Sequence, residues 1–220
     1  MGQQLEFFNS LHLKTKRKYI QRMQDDKIEC MKKAREFEFD FWDGDRRYGY
    51  GGYKYDGRWK VVAEKLIQKY NLTNDSKILD VGCGKGFLLH EIKLLLPGAT
   101  VAGFDISNYS IDNAKEEIKE FLFLHKAEDD YPFSDKEFDL VISLNTLHNL
   151  KIFDLKKALQ EIQRVAKDGY LVVEAYRDEA ELFNLQCWAL TCEDFFRPEE
   201  WTWLYDEWGY SGDYEFIYFN

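Results

Sequence analysis

The sequence predicts a doubly wound α/β fold, with a mostly parallel sheet of six or seven strands preceded by an N-terminal helical extension. Three observations carry this expectation. Short apolar runs at residues 78–81, 99–104, 138–143 and 170–175 alternate with amphipathic helical stretches. That is the order of crossover units, whose connections are right-handed. The first run leads straight into a glycine turn, KILDVGCGKGF at residues 77–87, which starts a nucleotide-binding crossover. The second run ends on an acid, Asp105, about 20 residues past that turn, where an acid meets ribose hydroxyls.

Bulk properties narrow the class. A chain of 220 residues suits one domain with appendages and can bury a sizeable core. Its net charge of −10 argues against general nucleic-acid affinity, which needs a basic face. No apolar run reaches the ~18 residues of a membrane span. The opening MGQQLEFFNS lacks a signal-peptide pattern, and Glu6 occupies the position where a myristoylation site has Ser or Thr. Cys30, Cys83, Cys187 and Cys192 form no CxxC pair and have no histidine at ligand spacing. A metal site or disulfide framework is therefore not expected, and a reducing cytoplasm is the simpler setting.

The glycine turn discriminates between ligands. A phosphate loop needs Ser or Thr after its lysine, and Lys85 is followed by Gly86. The dinucleotide fingerprint needs glycine at position 87, which is Phe87. The pattern present, D-x-G-x-G-x-G from Asp80 to Gly86, resembles motif I of the class I S-adenosylmethionine (SAM) methyltransferases. The resemblance covers roughly residues 77–173. It implies the class I methyltransferase fold and SAM as cofactor, held by Asp80, Gly82, Cys83, Gly84 and Gly86, with Asp105 and Ile106 toward the ribose. The loop HKAEDDYPF at 125–133 looks like the family's adenine loop, with Ala127 and Glu128 in the matching places. Lys126 departs from the usual acid there, and an exposed acidic loop is the plainer alternative. After the fourth strand, FDLVIS, Asn145 matches the position beside the methionine part of the donor. Asp105 has a second reading as a helix cap, although Ser107 already serves that purpose.

The acceptor side is less readable. Residues 3–40 read as helix, with a basic run at 14–18 that suits a solvated face better than a binding patch. The segment RRYGYGGYKYDGRW at 46–59 is too rich in glycine for a helix. Tyr48, Tyr50, Tyr53, Tyr55 and Arg58 are candidates for a lid over donor and substrate; the alternative is an aromatic packing loop. His148 is a candidate general base, since a histidine titrates near neutrality, or else an orienting group. Glu174 and Tyr176 stand at the tip of the fifth strand. Residues 199–208 read as helix and 214–219 as a closing strand, with 185–191 as a candidate seventh strand. The organisation expected is an N-terminal helix and lid segment at 1–60 and a SAM-binding domain at 61–220.

The expected function is SAM-dependent methyl transfer, an in-line displacement in which positioning does most of the work. The expected acceptor is a small molecule, an amine or amino-acid derivative, because acidic and aromatic residues abound; no metal is called for. Two alternatives stand. One is methylation of a protein or RNA docked on the N-terminal helix, the RNA version being disfavoured by charge and by the absence of an N-P-P-Y motif. The other is a non-catalytic SAM-binding regulatory protein.

Overall fold

A computed structural model describes residues 2–13 and 15–220, apart from the side chain of Ser10. Met1 and Lys14, the first residue of the basic run, lie outside the described residues. The chain opens with four short helices: α1 (Asn9–His12), α2 (Tyr19–Gln24), α3 (Lys27–Ala34) and α4 (Phe39–Trp42). Helix α5 (Lys60–Lys69) leads into β1 (Lys77–Val81), α6 (Phe87–Leu95) and β2 (Thr100–Asp105). Then come α7 (Asn108–Asp112), α8 (Glu116–Lys119), β3 (Leu122–Leu124) and β4 (Phe138–Leu144). The C-terminal part holds α9 (Ile152–Val165), β5 (Ala166–Glu174), α10 (Glu179–Trp188), α11 (Pro198–Glu207) and β6 (Asp213–Ile217).

All six strands are parallel, in the order β3-β2-β1-β4-β5-β6. Parallel strands are covered on both faces and so read as continuous apolar runs. Accordingly Ile78, Leu79 and Val81 of β1 and Leu140, Val141 and Ile142 of β4 are fully buried. Leu155, Leu159 and Ile162 of α9, with Trp201 and Tyr205 of α11, cover one face. Val62 and Leu66 of α5, with Leu88, Leu89 and Ile92 of α6, cover the other. The strand order reverses between β1 and β4, and such a switch point leaves a crevice at the strands' carboxyl ends.

Two expectations are corrected. The single helix over residues 3–40 is broken into α1–α4. The Glu215 carboxylate, 1% exposed on β6, accepts the N–H groups of Phe7, Phe8 and Asn9 and thereby holds the chain against the sheet edge. Gln4 forms a parallel bridge to Tyr214 just before it. The candidate seventh strand falls largely inside α10. Asp178 caps that helix by accepting from the N–H groups of Ala180 and Glu181, and Leu185 and Cys187 are buried as helical residues. Among the described residues, no helix is long and apolar enough to cross a membrane.

Candidate active site

The glycine turn lies at the carboxyl end of β1 against the switch point. Gly82, Gly84 and Gly86 have φ of +74°, +54° and +66°, a region where a Cβ is strained. Space is also closed to a side chain. A Cβ on Gly82 would meet Thr146 Oγ1 at 2.1 Å, and one on Gly84 would meet the Trp42 ring at 2.7 Å. Asp105 Oδ2 accepts the Gly84 N–H at 2.8 Å, and Oδ1 accepts the Ser107 N–H at 2.9 Å. Each oxygen has capacity to accept a further hydrogen bond. Ser107 caps α7 by accepting from the Ser110 N–H, so ribose recognition and capping are not in competition at Asp105. Asp80 is buried, and burial followed by the neighbouring Asp105 raises its pKa to about 8.

A cavity of about 320 Å³ opens on this turn. It brings together Asp80, Gly82, Cys83, Gly84, Asp105, Ile106, Ala127, Glu128 and Asn145. Gly86 stands outside it, at the N-terminal end of α6. Lys126 does not reach the cavity, whereas His125 beside it does. Asn145 takes φ +59°. Its Oδ1, Asn149 Oδ1 and His125 Nε2 are buried with no hydrogen-bond partner among the described residues. Buried polar atoms are rarely left unpaired, and all three belong to residues that line this cavity.

Sequence reasoning missed the aromatic wall. Phe37, Phe41, Trp42 and Trp59 also line the cavity, and Trp42 donates through Nε1 to the Phe37 carbonyl at 2.8 Å and to Ser107 Oγ at 3.0 Å. The dense aromatic patch near residue 40 was the available signal, but nothing local says that it folds back over Gly84.

A second cavity, about 420 Å³, adjoins the first. The two share Phe41, Tyr50, Tyr53, Trp59, Asn145 and Asn149 as lining residues. Of the lid candidates, Tyr50 and Tyr53 face both cavities and Arg58 faces the second. Tyr48, Tyr55 and Tyr176 line neither. The Tyr48 ring lies beneath Lys33 and Arg47, the Tyr55 hydroxyl donates to Glu91 Oε1 at 2.7 Å, and Tyr176 sits beneath Arg197.

Glu174 lines the second cavity, as does His148. His148 Nδ1 accepts the Glu174 N–H at 3.2 Å, so the ring proton belongs on Nε2, 3.6 Å from Glu174 Oε2. Burial lowers the His148 pKa to about 3 and raises that of Glu174 to about 7, the latter opposed by Arg17.

A methyltransferase-domain family model matches residues 72–209. The chain belongs to the class I SAM-dependent methyltransferases. Members of this family use SAM as methyl donor, and the cradle fits it: two glycine positions closed to a Cβ, buried acids and orphaned polar atoms face one cavity. The chain is 33% identical to a demethylmenaquinone methyltransferase of Chlorobaculum tepidum, over 52% of this chain and 46% of that one. It is 29% identical to an uncharacterized methyltransferase of Synechocystis sp., over 53% and 55% respectively. The chain thus spans about half the length of the curated relatives it matches. Bacillus subtilis YcgJ has the same fold, with a TM-score of 0.54 and 21% identity over 66% of each chain.

Proposed function

We propose that this class I methyltransferase chain transfers a methyl group from SAM to a small molecule bound in the second cavity. The observation that carries the reading is the shared wall. Asn145, Tyr50 and Tyr53 border both spaces, so a donor on one side and an acceptor on the other meet within one enclosure. Orientation of that kind can supply roughly 7–11 kcal/mol of a barrier.

Bound SAM would supply an electrophilic methyl group on a positively charged sulfur. Asp105, its carboxylate oriented by the Gly84 and Ser107 N–H groups, would hold the ribose hydroxyls. The rings of Trp42, Tyr50 and Tyr53 suit a cationic centre, which would also draw Asp80, its pKa raised to about 8, toward its charged form. Ala127 and Glu128 would border the adenine. On the acceptor side Glu174 is the better base. Its pKa near neutrality matches proton removal from an acceptor hydroxyl or amine, whereas the only basic lone pair of His148 is taken up by the Glu174 N–H. The expectation that His148 acts as general base therefore gives way to a positioning role, its Nε2–H directed at Glu174.

The test is formation of S-adenosylhomocysteine from SAM with a low-molecular-mass cell extract. The wild-type chain should form it, and Asp80→Ala should not. Equal rates for both would sink the reading.

A further inference from the structure

If the second cavity is the acceptor site, as proposed above, its charge is opposite to that of the chain. Nine arginines occur in the sequence. Six stand in ion pairs with Asp or Glu side chains. The remaining three, Arg17, Arg22 and Arg46, form no ion pair among the described residues, and all three line this one cavity.

The three guanidinium groups gather on a single ring. They lie 5.4, 4.5 and 4.9 Å from the Trp188 centroid, in the order Arg17, Arg22, Arg46. Main-chain carbonyls fix their orientation. Arg22 donates through Nε to the Trp188 carbonyl at 3.0 Å and through Nη1 to the Arg46 carbonyl at 2.8 Å. Arg17 donates to the carbonyls of His12 and Thr15, and Arg46 to that of Gly49. Carbonyls hold a guanidinium without cancelling its charge. Arg17 Nε is buried and has no hydrogen-bond partner among the described residues. Burial lowers the pKa of each of the three, that of Arg22 to about 10.

Three like charges in a partly buried wall repel one another unless an anion sits among them. Nearby groups do not supply it. His12 is neutral, its pKa lowered to about 4, and Arg58 is already paired with Asp56. Asp25 acts on Arg22 but is already paired with Arg47; among the described residues that line the cavity Glu174 is the one carboxylate, and even when ionised it offsets one charge of three. A planar guanidinium fork matches carboxylate and phosphate oxygens.

We propose that this cavity selects an acceptor bearing an oxyanion, a carboxylate or phosphoryl group. Arg17, Arg22 and Arg46 grip the oxyanion, and the methyl-accepting atom lies toward Glu174 and Asn145. The acidic composition that led to an amine acceptor resides elsewhere in the chain; at this wall the fixed charge is positive and would repel an ammonium group.

Calorimetric titration of the full chain at pH 7.5 with four aromatic probes tests this: benzoate, phenyl phosphate, benzyl alcohol and benzylamine. At least one of the two anions should bind about tenfold or more tightly than the alcohol and the amine. Whichever anion leads identifies the group recognised. Arg46→Gln should weaken that anion about tenfold, and Arg46→Lys should recover part of the loss. S-adenosylhomocysteine affinity unchanged in both variants would establish that they are folded. The wild-type ranking decides without any variant: benzylamine or benzyl alcohol binding as tightly as both anions overturns the proposal. Failure of S-adenosylhomocysteine to bind the wild-type chain would instead overturn the donor assignment and leave the anion ranking readable.

Discussion

Lys85 Nζ lies 2.6 Å from Asp43 Oδ2, tying the glycine turn to the segment that enters the tyrosine-rich loop. Asp43 also accepts the Tyr109 hydroxyl at 2.8 Å and the Tyr53 N–H at 2.8 Å. Lys85 donates in addition to the Tyr53 carbonyl at 2.9 Å. One partly buried ion pair therefore fastens Tyr53, which borders both cavities, to the floor that would carry the donor.

Asp43→Ala should be much more damaging than an exposed-pair deletion. It leaves the Lys85 ammonium, whose side chain is 5% exposed, without its counter-charge and with the Tyr53 carbonyl alone. Breaking a buried pair in this way costs about 3–5 kcal/mol. Lys85→Met should be milder, because Asp43 keeps its bonds to Tyr109 and Tyr53. Urea unfolding of the two variants measures the difference. Equal losses would mean that the pair behaves as a surface pair.

Gly82→Ala should abolish donor binding for two separable reasons. The new Cβ meets Thr146, and the φ of +74° strains any side chain. Adding Thr146→Ala should relieve the first and leave the second, a residual on the order of 1–2 kcal/mol. A double-mutant cycle read by S-adenosylhomocysteine affinity tests this, with partial recovery expected and no recovery contradicting the steric account.

The rate of transfer should rise with pH through about 7, where Glu174 ionises. The charged or titratable groups around it include Arg17, Cys192, Tyr50 and neutral His148. Glu174→Gln should remove the rise along with most of the activity. His148→Gln should lower kcat and displace the profile without abolishing turnover. A profile that moves with neither variant would exclude both residues from proton transfer.

Stability should fall as pH rises, for a reason centred on Asp80. Its folded pKa of about 8 lies above the ordinary 3.8, so the folded state binds the proton more tightly than the unfolded chain. That contribution is fully present below pH 3.8 and is lost as pH climbs through about 8. Asp194 and Glu174, each raised to about 7, add the same trend. Asp80→Asn should flatten the curve in part, as urea midpoints between pH 5 and 8 would record.

The cavity proposed for the donor was legible because its lining residues sit at fixed offsets from strand ends. Asp80, Gly82, Gly84, Asp105 and Asn145 lie where β1, β2 and β4 finish, and hydrophobic runs locate those strands. The cavity proposed for the acceptor was not legible. Arg17, Arg22, Arg46 and Trp188 meet only after α2 packs on α10, and no local pattern encodes that approach. The N-terminal segment misled for a related reason. Helix propensity is local, and the capture of the Phe7, Phe8 and Asn9 N–H groups by Glu215 is made across the whole length of the chain. Trp42 closing over Gly84 is a contact of the same kind.

The most direct measurement supplies SAM carrying a labelled methyl group to the chain together with a cell extract split into low- and high-molecular-mass fractions. Label should appear in the low-mass fraction alone, with S-adenosylhomocysteine formed in step, and Glu174→Gln should suppress both. Label in protein or RNA, or no S-adenosylhomocysteine from any fraction, would contradict methyl transfer to a small molecule in the second cavity.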